Sequence, residues 1–352
     1  MNLLEHELTY PLEDQLPEPG YSIEIRPGIH WLRMPLPFAL DHINLWLLKD
    51  EIDGQQGWTI VDCGIARDEV KALWESVFEQ VLEGLPVLRV IVTHMHPDHI
   101  GLAHWLCERW DVPLYMSMTD YMTAKHWSSN TAGSAAGGES AVQHFHRHGM
   151  RDADSLEKIR GRSSYYVNLV PNVPDHFARL QGGDSIKING AQWQLIAGFG
   201  HAPEHLSLYS EDSQVLISGD MVLPRISTNV SVSNYEPLGN PLPAYLKSLN
   251  AYQPLPHDTL VLPSHGKPFH GLHARIAQQH AHHKERLDEV LDACATPKST
   301  TDIIPIMFKR SLDLHQMTFA MGEAIAHLHA LYFEGKLRRQ VEEDGLIRFV
   351  KA

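Results

Sequence analysis

"VTHMHPDHIG", residues 92–101, places four side chains able to ligate a metal within six positions: His94, His96, Asp98 and His99. The stretch that leads into it, "VLRVIVTH", is almost continuously apolar, as suits a strand buried on both faces. The stretch that follows, "IGLAHWLCERW", has helical spacing. The four side chains therefore fall on the loop at the carboxyl end of a buried strand, where α/β sheets bind ligands. Imidazoles and a carboxylate, with no thiolate among them, suit zinc, iron or manganese. His94 and His96, two apart, can reach one ion from an extended loop. Asp98 and His99 point differently as the helix begins and can serve a second. The chain has 24 histidines, so a merely solvated histidine-rich loop is the alternative. The strand ahead of the motif argues against it.

Working outward, "GIHWLRMPL", "HINLWLLKD" and "GWTIVDCG" read as earlier strands. Between the last of these and the motif strand, "ARDEVKALWESVFEQVLEG" repeats Val70, Leu73, Trp74, Val77 and Phe78 at helical spacing. "VPLYMS" is a further strand. Helices alternating with buried strands imply layered α/β packing. Residues 117 to about 180 break the rhythm and read as a mostly helical insertion. It contains a small-residue stretch, "SSNTAGSAAGGES", expected to be flexible and to act as a lid. Strands resume with "AQWQLIAGFGH", "HLSLYS", "QVLISGD" and "DTLVLPSHG". A long helix follows, with Leu272, Ile276, His280, Leu287 and Leu291 along one stripe, ending near "ATPKST". We expect a catalytic domain over 1–295 and a small second domain over 296–352. The second would be a capped short helix, a longer helix, and a hairpin turning at Asp344-Gly345. That element order suggests a winged helix.

The formal net charge of −14 argues against generic binding to nucleic acid or anionic membranes. Three cysteines, Cys63, Cys107 and Cys294, form neither a disulfide framework nor a zinc ribbon. No apolar run approaches the ~18 residues of a membrane span, and the first residues lack a signal-peptide pattern. The expectation is a cytoplasmic protein.

The motif resembles that of the metallo-β-lactamase superfamily, and four other positions extend the resemblance across about residues 20–290. "TIVDCG" supplies Asp62, "GFGHAPEH" supplies His201, "LISGD" supplies Asp220 and "LVLPSHG" supplies His265, in the order that superfamily requires. The resemblance implies a four-layered αββα sandwich. It also implies that His94, His96 and His201 hold one ion, that Asp98, His99 and His265 hold the other, and that Asp220 bridges them. Asp98 and Asp220 would be the catalytic carboxylates. Asp62 would orient a ligand by hydrogen bonding, and His205 would be a structural companion. Two divalent ions, zinc foremost with iron or manganese as alternatives, would lower the pKa of a shared water towards ~7.

Diiron oxygen reductases of this fold resemble H-x-E-x-D-H, with a carboxylate where this chain has His96. That difference favours hydrolysis. Persulfide dioxygenases, which keep the histidine and use one iron, remain an alternative. Glyoxalase II-type thioesterases resemble the chain in every ligand, but their basic C-terminal region finds no match here. Acyl-homoserine lactonases place a tyrosine soon after the bridging aspartate, where this chain has Met221, Val222 and Leu223. Lactamase-like endoribonucleases resemble it in carrying a winged-helix tail. Residues 301–352, however, hold seven Lys or Arg against seven Asp or Glu, not the basic surface of a duplex reader.

The expected function is therefore dinuclear hydrolysis of a small ester-like substrate, a thioester or lactone, with single-stranded RNA cleavage as the alternative. The tail would be a structural cap or support a homodimer. Arg225, Thr228 and Asn229 are candidate substrate contacts. Tyr165 and Tyr166 are expected to pack rather than line a pocket, and Cys63 to be a small core residue. The other histidine runs, His144, His146 and His148, and His280, His282 and His283, are expected to face solvent.

Overall fold

The computed structural model of the chain describes residues 4–129 and 137–352. Seven strands form the first sheet in sequence order. β1 (Ile23–Arg26), β2 (Ile29–Pro35), β3 (His42–Ile52) and β4 (Gln55–Val61) make an antiparallel meander. Helix α1 (Asp68–Gln80) then crosses over to β5 (Val87–Ile91), parallel to β4. Short helices α2 (Pro97–Ile100) and α3 (Ala103–Trp110) lead to β6 (Leu114–Ser117).

The insertion comprises α4 (Met118–Ser129), α5 (Gly138–Arg147), α6 (Ala153–Arg160) and α7 (Tyr165–Leu169). It returns as an edge strand, β7 (Phe177–Leu180), beside β6. It is thus mostly helical, as its composition implies. Most of the small-residue stretch expected to act as a lid, residues 130–136, lies outside the described residues.

The second sheet has the order β12-β11-β10-β9-β8. β8 (Ser185–Ile188), β9 (Ala191–Gly198), β10 (His205–Ser210) and β11 (Val215–Gly219) run antiparallel. Helix α8 (Pro241–Leu249) crosses to β12 (Leu260–Pro263), which pairs parallel with β11.

The near-continuous apolar runs of the strands follow from burial on both faces. Along β2 and β3, Trp31, Trp46 and Leu48 meet Leu206, Leu208, Ile217 and Leu262 of the other sheet. Their neighbours Leu32, Leu45 and Leu47 turn outward onto Val70, Trp74 and Val77 of α1 and Leu106 of α3. The outer face of the second sheet buries Leu216 and Val261 under Leu242 and Tyr245 of α8. Leu272 and Ile276 of α9 (Leu272–Ala293) join that cover. The result is the four-layered αββα sandwich. One charged pair is buried within it: Asp50 accepts from Arg89 Nε at 2.9 Å, from Thr59 Oγ1 and from the amide of Asn189, tying the first sheet to the β8–β9 turn.

After α9 come α10 (Thr300–Met307), α11 (Leu314–Phe333) and the hairpin β13 (Leu337–Val341)–β14 (Ile347–Lys351). Ser299 and Asp302 form a capping box at the start of α10. Met321, Ala324 and Leu328 of α11 share a core with Ala141, Val142 and Phe145 of α5 and Ile159 of α6, while Ile325 and Ala326 pack under the second sheet. None of the described helices is long and apolar enough to cross a membrane.

The two histidine runs outside the motif differ from expectation. His144 and His148 are buried in the core shared by α5 and α11, with His148 Nδ1 against Thr300 Oγ1 at 3.0 Å. His283 is buried against His327, ring nitrogens 3.2 Å apart. Helical geometry turns them inward, and burial keeps these imidazoles neutral: His144 is pulled down to about 4 and His283 to about 2.

Candidate metal centre

The loops following β5, β9, β11 and β12 converge at one end of the sandwich, where the edges of both sheets meet. Two groups of donor atoms form there, His94, His96, His201 and Asp220, and Asp98, His99 and His265. In the first, His94 Nε2, His96 Nδ1 and His201 Nε2 lie 2.9, 3.0 and 3.2 Å from one another. His201 Nδ1 donates to the Asn229 carbonyl at 2.8 Å. His94 Nδ1 faces Thr93 Oγ1 at 3.1 Å, whose own proton goes to Asp62. With Nδ1 protonated in both rings, His94 Nε2 and His201 Nε2 turn lone pairs toward each other and toward His96 Nδ1, an arrangement a cation would fit.

In the second group, His99 Nδ1 donates to Asp62 Oδ2 at 2.8 Å and His265 Nδ1 to the His42 carbonyl at 2.8 Å. The Nε2 atoms of both face Asp98 Oδ2 and Asp220 Oδ1 at 3.4 to 3.7 Å. Among the described residues, His99 Nε2 and Asp220 Oδ1 are buried with no hydrogen-bond partner. Orphaned buried polar atoms of this kind are costly unless something binds them. Asp220 presents Oδ2 to His201 at 3.3 Å and Oδ1 to the second group. The donor set thus fits two metal ions that share one carboxylate.

The electrostatics divide along the same line. Burial, then neighbouring histidines, lowers His94 well below its ordinary value, and burial with His201 brings His96 to about 3. His99 and His265 are also buried, yet their carboxylate neighbours overcome that, raising His99 well above the usual range and His265 to about 10. Asp98 is held at about 2, against its burial, by His99 and His265. A cation in the second group would take the place of the protons those histidines hold.

The supports are built from far-apart segments. Asp62 sits in left-handed backbone at φ 63° and accepts from the Thr93 amide at 2.8 Å as well as from His99. His205 Nε2 accepts the Asp220 amide at 3.1 Å. Gly219, at φ 55°, has to be glycine, since a Cβ there would enter the His205 ring. Cys63 is fully buried in the core, its carbonyl accepting from Trp74 Nε1.

The three expected substrate contacts do other work. Thr228 is fully buried and donates to the Asp220 carbonyl at 2.6 Å. Asn229 holds His201 through its carbonyl, and Arg225 Nε pairs with Glu5 at 3.2 Å. In the structure these residues fix ligands and loops.

Several supporting residues escaped the sequence. Asp120, at the start of α4, accepts the amides of Met95 at 2.9 Å and Glu204 at 2.6 Å, tying the loop of His94 and His96 to that of His201. Tyr166 is more than packing: its hydroxyl donates to the Met95 carbonyl at 2.6 Å.

Glu323 of α11 is buried, with Asn229 as its hydrogen-bond partner, and the Val232 amide donates to the Gly322 carbonyl at 3.1 Å. The C-terminal helix thereby reaches His201 through one intermediate. Burial pushes Glu323 up from 4.5 to about 7, with Asn229 pulling the other way. Because the folded chain binds this proton more tightly than the unfolded chain, stability falls as pH rises from 4.5 through about 7. Glu323→Gln is expected to flatten that fall, on the order of 3 kcal/mol between pH 4.5 and 8. Urea unfolding at several pH values checks it.

Among known families, the model of the metallo-β-lactamase superfamily matches residues 40–265. The chain belongs to the metallo-β-lactamase superfamily. A second model, the metallo-β-lactamase-like C-terminal domain, matches residues 287–352. A solved β-lactamase domain protein from Burkholderia ambifaria is 55% identical over 100% of both chains, with a TM-score of 0.94. A superfamily protein from Thermus thermophilus is 26% identical, covering 94% of this chain and 100% of its own, at a TM-score of 0.76. A probable metallo-hydrolase of Bacillus subtilis is 24% identical over 86% of this chain and 92% of its own. Within the superfamily, the chain stands with the metal-dependent hydrolases.

Proposed function

We propose that the chain is a dinuclear metal-dependent hydrolase of a small ester-like substrate, a thioester or lactone. The observation that carries this reading is the double presentation of Asp220, one carboxylate oxygen to each donor group. His94, His96 and His201 would hold one ion, Asp98, His99 and His265 the other, and Asp220 both. Two divalent ions, zinc suiting this imidazole and carboxylate set and iron or manganese fitting it also, supply Lewis acidity and a lowered pKa for water. The chain's own part is to fix those donors. Asp62, the Asn229 carbonyl and the His42 carbonyl hold protons on the far nitrogens of His99, His201 and His265, keeping the near nitrogens as donors. Asp98, 19% exposed beside His265, can accept a hydrogen bond from an attacking water and so orient it.

A relative from Aspergillus fumigatus, named an atrochrysone carboxyl ACP thioesterase, is 21% identical over 63% of this chain and 53% of its own length. It supports the thioester branch of the proposal. The test is metal analysis followed by a panel of thioesters, lactones and labelled single-stranded RNA. About two ions per chain and ester turnover are expected, with His265→Ala inactive as control. Cleavage of RNA alone would overturn the ester reading. One iron per chain with oxygen uptake on persulfide would overturn hydrolysis.

A further inference from the structure

Helix α7 is fastened to the motif loop from two sides. Tyr166 Oη binds the Met95 carbonyl at 2.6 Å, and the Leu169 carbonyl accepts the Ala66 amide at 3.3 Å. Met95 lies between His94 and His96, so the residue before Tyr166 stands at the rim of the metal centre. That residue is Tyr165. Its phenol is half-buried and close enough to Asp98 to feel its charge. Burial first, then Asp98, pushes it up to about 12, so it stays a protonated donor. Its ring is steadied by His315, centroids 6.1 Å apart, and His315 is in turn stacked on Phe38 at 5.0 Å and met edge-on by Phe319 at 5.0 Å. The ring is placed, yet the hydroxyl has no hydrogen-bond partner among the described residues.

Arg162 belongs to the same corner, its carbonyl accepting the Tyr165 amide at 3.0 Å. Its guanidinium is half-buried and near enough to act on both Tyr165 and His315. Among the described residues it has neither ion pair nor side-chain hydrogen bond. Two other polar side chains beside the centre are engaged: Thr228 with the Asp220 carbonyl, and His42 with Asp41 and the Gly266 amide.

We propose that Arg162 and Tyr165 form the substrate-anchoring side of the centre. Tyr165 Oη donates a hydrogen bond to the carbonyl oxygen as it gains charge, and Arg162 binds an anionic group, carboxylate or phosphate, on the same substrate. The proposal rests on the ester-hydrolase reading and narrows it to anionic esters. A guanidinium forks onto such groups more tightly than any neutral donor. A fixed donor at a developing oxyanion acts mainly on kcat. No proton is transferred by Tyr165 and no bond to it forms.

The test uses acetyl thioesters of three thiols with the metal-loaded protein: mercaptoethanol, neutral; 3-mercaptopropionate, a carboxylate; and phosphopantetheine, a phosphate. Wild type is expected to favour one or both anionic thioesters about 10-fold in kcat/KM. Which of the two is favoured tells carboxylate from phosphate. Arg162→Met is expected to erase that preference and Arg162→Lys to restore part of it. Tyr165→Phe is expected to lower kcat on the order of 100-fold with little change in KM. An equal preference in wild type and Arg162→Met, or an unchanged kcat in Tyr165→Phe, overturns the respective assignment. If wild type hydrolyses none of the three, the thioester branch of the ester reading fails. Calorimetric binding of the unreactive thioether 3-(propylthio)propionate and of inorganic phosphate then decides the anion site. About 10-fold weaker binding of either by Arg162→Met upholds it, and equal binding overturns it.

Discussion

Asp220→Ala is expected to strip the protein of both ions and lower turnover on the order of 1000-fold or more. Each oxygen of this carboxylate faces a different donor group, Oδ2 toward His201 at 3.3 Å and Oδ1 toward His99 and His265 at 3.5 Å. Removing it leaves three imidazoles in the first group, and one carboxylate with two imidazoles in the second. Neither set then has its shared anion, and each ion loses charge compensation as well as a ligand. Asp98→Ala is the informative contrast, since it touches the second group alone. It is expected to reduce metal content from about two ions per chain towards one. Metal analysis after dialysis, with thermal melting to confirm folding, separates the two variants. Equal metal content in both would contradict the bridging role of Asp220.

The second large effect belongs to Asp62→Ala. This carboxylate is fully buried and receives the Thr93 amide, the Thr93 hydroxyl and His99 Nδ1. Alanine would leave those donors buried without an acceptor and place a β-carbon residue at φ 63°, a backbone region aspartate and asparagine tolerate better. A loss of about 3 to 5 kcal/mol is expected in urea unfolding of the metal-free chain. Asp62→Asn keeps the backbone preference and one acceptor oxygen, so its loss should be clearly smaller. What it gives up is the charge that holds a proton on His99 Nδ1, and metal affinity should fall about 10- to 100-fold. An alanine variant as stable as wild type would sink this account.

The candidate ligands were legible because each stands at the end of a strand whose apolar run is itself readable. His201, Asp220 and His265 as candidate ligands, and Asp62 as their support, were implied by an order of motifs that resembles the superfamily's. The layers were legible for the same reason: β2, β3, β4 and β5 carry continuous apolar residues because both of their faces are covered. The edge strands β1, β7 and β8 bury at most two residues each, so they carry no apolar run to read. Asp120 gives no local sign of its role, since its two partners lie 25 and 84 residues away. Glu323 reads as an ordinary helical glutamate until α11 docks on the loop after Asp220. Thr228 supports Asp220 through its hydroxyl and Asn229 supports His201 through its backbone carbonyl, contacts that no local pattern announces. His144, His148 and His283 were misjudged because the partner covering each helix face comes from a distant segment.

Each donor group draws on both sheets. His94 and His96 follow β5 while His201 and Asp220 follow β9 and β11, and His265 after β12 answers Asp98 and His99. The ions would therefore be rivets across the seam of the sandwich as well as reagents. A chain starved of metal would lose catalysis and cohesion in one step, because ions that bind only the closed arrangement withdraw their binding free energy from folding when they leave. Its lifetime in a cell would then follow metal supply, the idle form being the one that opens and is degraded first.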